Sequence, residues 1–209
     1  MISEPVTTLT DYALAGVCAW FGVRLLLLRE GHFSRLSWAA AFLALGTAAF
    51  VGGTHHGFAP LMGENAAALV WKLTVLAVGI FSFGTVAGSA CATVRDPLRA
   101  ALLTATGVQL VAYSAWMLGH DDYRYVVFDT AAAMLTLVAL HAYAAISRRD
   151  RASYWILGGV AVSAAAAAAQ FFHVALHEYF NHNDLYHVIQ IAAMTLFYRG
   201  SKLLRDRKT

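Results

Sequence analysis

The chain has 209 residues, 59% of them hydrophobic and only 13% charged, about half the charge of an ordinary soluble domain. Too few charges remain to cover a water-facing surface, so the composition argues against a soluble globular domain and for lipid as the solvent. The net charge of +3 does not point to a nucleic-acid partner, because the basic residues sit in short breaks between apolar runs and not on one face.

In chain order the apolar runs cover 8–28, 36–56, 65–90, 98–119, 123–146, 153–178 and 183–200. Each is close to the roughly 20 residues that cross a bilayer core as a helix. Helices are the expected element, because every backbone polar group must be satisfied inside lipid. The predicted fold is therefore all-α: a polytopic bundle of seven transmembrane helices forming a single domain over 1–209. The first run is expected to be a retained helix, since the segment before it has acidic residues and no basic n-region. The alanine run 164–169 suits a close helix–helix contact. Cys18 and Cys91 fall at different depths, so no disulfide is expected.

Orientation follows from the cations. Arg29 and Arg35, Arg95 and Arg99, Arg148, Arg149 and Arg151, and the tail cations Arg199, Lys202, Arg205, Arg207 and Lys208 share one side if seven helices alternate. The other side has Arg124, with Lys72 sunk inside the third run. The positive-inside rule then puts the N-terminus outside and the C-terminus in the cytoplasm. The expected location is the plasma membrane, as a multi-pass protein of a bacterial inner membrane.

On that map most histidines gather at the outer side. His55 and His56 end the second run. His120, Asp121 and Asp122 join the fourth to the fifth, and Asp129 lies about two turns inside the fifth. His173 and His177, four apart, are expected to share one face near the end of the sixth helix. His182, Asp184 and His187 open the seventh, with Gln190 on the same side as His187. Neutral imidazole is the commonest metal ligand, and a carboxylate at the depth of Asp129 is costly unless paired or functional. The inventory suits a catalytic zinc, which takes three protein ligands and leaves a position for water. The candidate ligands are the histidines at these helix ends, His55 or His56, His173, His177, His182 and His187, and Asp129 or Asp184 is the expected proton acceptor. Lys72 either snorkels or pairs with Asp129, and His141 is expected to be a packed polar contact. The aromatics Trp71, Trp116, Tyr123, Tyr125, Tyr179 and Tyr186 fit an interfacial belt.

The segments FVGGTHHGF (50–58) and FNHNDLYHVIQ (180–190) resemble the second-helix and last-helix motifs of the CREST group, the seven-helix membrane hydrolases that include alkaline ceramidases and adiponectin-receptor-like proteins. The resemblance implies a zinc-dependent hydrolase of an amide or ester in a lipid-like substrate, with His56 (or His55) and His187 as ligands. The pattern departs in three places. Asn183, not His, stands four before His187. Val51 and Gly52 stand where the group has a serine. The third helix carries Lys72 and no aspartate. Two other readings compete. Paired histidines such as His173 and His56 could hold a haem b, or Asp129, Lys72 and His141 could line a metal or proton path.

Overall fold

The computed structural model describes residues 2–207. It contains seven helices: α1 (Pro5–Leu27), α2 (Phe33–Phe58), α3 (Glu64–Thr93), α4 (Leu98–Gly119), α5 (Arg124–Arg148), α6 (Arg151–Phe171) and α7 (His182–Ser201). The first six are long and apolar enough to cross a membrane. The seventh is as long but less apolar, because it carries His182, Asp184, His187, Gln190 and Arg199. Local chemistry sets several ends. Proline stands in the first turn of α1, where its missing N–H costs nothing. Asp150 accepts from the Ser153 amide to start α6, and Arg149 ends α5 with φ 51°. Lys72 reaches from α3 to the last carbonyls of α4, donating to Met117 O (2.6 Å) and His120 O (2.8 Å) and pairing with Asp121 (2.6 Å). A cation there offsets the negative end of the helix dipole. Lys72 therefore pairs with Asp121 and not with Asp129.

Six helices form a ring. Going round it, α1 packs on α2, α2 on α3, α3 on α5, α5 on α6, α6 on α7, and α7 on α1. Helix α4 lies outside the ring, against α3. Small residues bring the staves together. A Cβ at Gly84 would lie 2.8 Å from Ser37 O, and one at Gly88 would lie 2.7 Å from Ser34 O. At the α6–α7 contact Phe197 fills the space above Gly159, and Ile156 that above Gly200. Of the alanine run only Ala166 lies on the packed face of α6, in line with Gly159 and Ser163, while Ala164, Ala165, Ala167 and Ala168 are exposed.

The half of the ring away from the N-terminus is closed by large apolar side chains. Trp38, Phe42 and Phe197 are fully buried there with Leu137, Ile156 and Met194. His141 is also fully buried, with Nδ1 2.9 Å from Ser153 Oγ and Nε2 2.9 Å from Ser89 Oγ. It is the packed polar contact expected of it. Cys18 and Cys91 are both buried and free.

The segment after α7 folds back across this end. Asp206 accepts from the amides of Phe33 (2.6 Å) and Ser34 (2.8 Å), capping α2. Leu204 O accepts from Arg35 Nε (2.8 Å), and the Arg207 amide donates to Cys91 O (2.9 Å). Burial pushes the Asp206 carboxyl upward, but bonds from Ser34 and Phe33 outweigh it and hold the group below the usual carboxylate range. A depressed carboxyl adds stability above the unfolded pKa and loses it as pH falls through the folded value. Asp206→Ala is thus expected to cost about 1 kcal/mol near neutral pH, as for a lost cap. It should also flatten the fall in melting temperature between about pH 5 and 3. Melting curves of both proteins across that range test this; identical acid limbs would refute the cap's role.

Candidate functional site

Three of the polar residues that sequence reasoning put at helix ends, His56, Asp184 and His187, come together between α1, α2 and α7, on the face that holds the N-terminus. In the first turns of α1, Thr7, Thr10 and Asp11 fall three and four apart and present one face to α7. Gly53 and Gly57 allow this: a Cβ at Gly53 would lie 2.6 Å from Asp11 Cβ, and one at Gly57 2.7 Å from Thr8 Oγ1. On the other side, α7 opens with a capping box in which Asn181 accepts from the amides of Asn183 and Asp184, and Asp184 Oδ2 accepts from the Asn181 amide. The second Asp184 oxygen accepts from Thr7 Oγ1 at 2.8 Å. One turn further on, His187 meets α1 with both ring nitrogens: Nδ1 lies 3.1 Å from Thr10 Oγ1 and Nε2 3.2 Å from Asp11 Oδ1.

Thr10 Oγ1 has two partners, Thr7 O (3.0 Å) and His187 Nδ1, and one proton to give. Given to Nδ1, it leaves Nε2–H to donate to Asp11 Oδ1; given to Thr7 O, it leaves Nδ1 protonated and the lone pair of Nε2 facing a carboxylate oxygen. Both groups are buried, with Asp11 at 5% and His187 at 8% exposure. Two acceptors facing each other away from water repel unless a positive centre lies between them. Asp11 Oδ2 is buried with no hydrogen-bond partner. Around the pair stand Asp184 and Glu4, near Asp11, and His56, near His187. His56 Nδ1 is held 3.2 Å from Glu4 Oε2. The Tyr186 ring lies edge-on to His187 at 5.5 Å.

The other expected site residues lie elsewhere. Helix α6 ends at Phe171, not at 178, so His173 and His177 do not share a helical face. The chain leaves the helix through His173, whose φ is 53°, and Leu176 and His177 bond back to Phe180 in a tight turn. Both histidines are exposed; His173 Nδ1 contacts Phe171 O and His177 Nδ1 accepts from the Tyr179 amide. His182 begins α7 with its ring 4.7 Å from that of His173. Asp184 spends its two oxygens on Thr7 and the cap. Asp129 bonds to Gln109 of α4 (3.0 Å). His55 turns toward Trp71, 5.5 Å between rings. Gln190 accepts from Ser163. Among the described residues no group of three or more His, Cys, Asp or Glu is arranged to hold a metal ion.

Asp11 is the residue that sequence reading passed over. It lies inside the first apolar run, and the cost argument applied to Asp129 applied equally to it.

A seven-helix bundle with a buried acid–imidazole pair at one end is the class that fold and site define. Residues 6–206 match the profile of DUF6962, a family of unknown function, and the chain belongs to that family. No curated protein and no solved structure matches it.

Proposed function

We propose that the protein is a multi-pass membrane hydrolase that cleaves an amide or ester bond of a lipid-like substrate, with its centre at Asp11 and His187 near the extracytoplasmic face. What supports this is one observation: an imidazole nitrogen and a carboxylate oxygen face each other 3.2 Å apart, buried, with the second carboxylate oxygen unpartnered. Zinc is the proposed positive centre. Ligand atoms about 2.0–2.1 Å from a tetrahedral ion stand about 3.3 Å from one another. Thr10, holding Nδ1, is the kind of outer partner that orients a ligating histidine. His56 would supply the third ligand by turning its ring away from Glu4. The bound ion would supply an activated water and a polarised carbonyl. The chain's own part is to orient His187 through Thr10, to fix Asp11 between α1 and α7, and to hold Asp184 rigid at the start of α7. The short likeness to the ceramidase-like hydrolases also rests on His56 and His187.

Metal analysis of detergent-purified protein tests the reading. About one zinc per chain is expected in wild type, with loss in His187→Ala and in Asp11→Asn, and a large reduction in His56→Ala. Metal-free wild type, or zinc kept by both Asp11→Asn and His187→Ala, would overturn it. A second reading is favoured by the ring of His56 already being engaged with Glu4: the positive centre is a proton, and Asp11 exchanges it through Oδ2. In that case the wild type carries no zinc, and an infrared carboxyl band vanishes in Asp11→Asn. The haem reading loses its pair, since His173 is an exposed connector residue. The path reading loses His141, locked between Ser89 and Ser153.

A further inference from the structure

A second polar site lies on the other side of the ring, between α3, α4 and α5. Asp129 and Ser82 line a cavity of about 90 Å³ there, together with Thr106 and Gln109 and apolar groups such as Phe83 and Leu102. Asp129 is 7% and Ser82 3% exposed, and the Ser82 hydroxyl stands beside the carboxylate, yet neither Asp129 Oδ2 nor Ser82 Oγ makes a hydrogen bond of ordinary length. Gln109 holds only the other carboxylate oxygen, donating to Oδ1 at 3.0 Å. No histidine, lysine, arginine or second carboxylate lines the space.

We propose that this cavity binds a sodium ion between Asp129 and Ser82. An unpaired carboxylate at this depth is costly, and its free oxygen is aimed into a space large enough for an ion and water. The donor set is carboxylate and hydroxyl oxygen only, which suits a hard cation and not zinc. A single negative charge is neutralised by one monovalent ion, whereas a divalent ion would leave a buried excess. Few protein oxygens converge in this small space, which favours sodium over potassium. Helix α4 packs chiefly on α3 and scarcely touches α5, so the ion fastens α4 to its neighbours through the carboxylate that Gln109 orients.

Melting temperatures of the purified protein in sodium chloride, potassium chloride and choline chloride at equal ionic strength test this. The wild type is expected to gain about 3 °C for each tenfold rise in sodium above its dissociation constant, less in potassium, and nothing in choline. Asp129→Asn, which keeps the shape and the bond from Gln109, should abolish the sodium response, and Ser82→Ala should weaken it. Ser82→Ala also serves if the Asn variant does not fold. Equal melting in sodium and choline for wild type, or an undiminished sodium response in both variants, would overturn the site. A carboxyl that is simply protonated gives the first of these results.

Discussion

Replacing Gly53 with alanine is expected to lower the apparent melting temperature and to disturb the Asp11–His187 pair together. The new Cβ would lie 2.6 Å from Asp11 Cβ and 3.2 Å from the Tyr12 ring. The first of these atoms is the root of a side chain, not a flexible tip, so α1 itself must retreat. Overpacking of this kind costs about 1–3 kcal/mol. The retreat also carries Asp11 away from Nε2 of His187, so under the proposed zinc reading the ion should be lost, as is expected for His187→Ala. Gly16→Ala is the control: nothing lies within 4 Å of its Cβ, and alanine gains up to about 1 kcal/mol over glycine inside a helix. Thermal unfolding of both variants settles the comparison. Equal stability of Gly53→Ala and wild type would mean that α1 and α2 are not as closely seated as described.

His141→Ala is expected to give the larger loss of stability. Ser153 donates its hydroxyl proton to Asp150 (2.5 Å), so it accepts from Nδ1 of His141, and Nε2 in turn accepts from Ser89. One imidazole thus ties α5 to both α3 and α6 in a fully buried place. Truncation removes both bonds and opens a cavity, a change that costs about 2–5 kcal/mol for large buried side chains. His141→Leu should recover much of the volume but strand the Ser89 hydroxyl, at about 1–3 kcal/mol, while Ser153 keeps its bond to Asp150. Adding Ser89→Ala to His141→Leu is then expected to restore part of the loss. Chemical or thermal unfolding of the three variants checks the order; additive losses with no recovery would show that the Ser89 hydroxyl is not stranded.

Helix number and most helix ends were legible because runs of apolar residues near bilayer length have few other uses. The end of α6 was not. Phe171, Phe172, Val174 and Leu176 continue the apolar composition, yet all four are exposed side chains on or beyond the last turn. Hydropathy does not register the turn at His173. In the site, His187 and Asp184 stood out because they are polar and open a helix. Asp11 did not, because it falls in the first turn of the first apolar run, with no histidine near it in sequence to mark a site. The misplacement of Asp129 has a different cause. Which neighbour a helix face meets depends on the order of helices around the ring, and the placing of α5 beside α3 is not written in any local pattern.

That ring is shut by its two most distant members. The Thr7–Asp184 and Thr10–His187 bonds each join residues 177 positions apart, so the acid–imidazole pair is made only when α7 docks on α1. Throughout synthesis of the intervening helices, Asp11 has no imidazole to face. The first helix waits with an unpaired carboxylate, and the acid–imidazole pair forms only once α7 has been made and has docked.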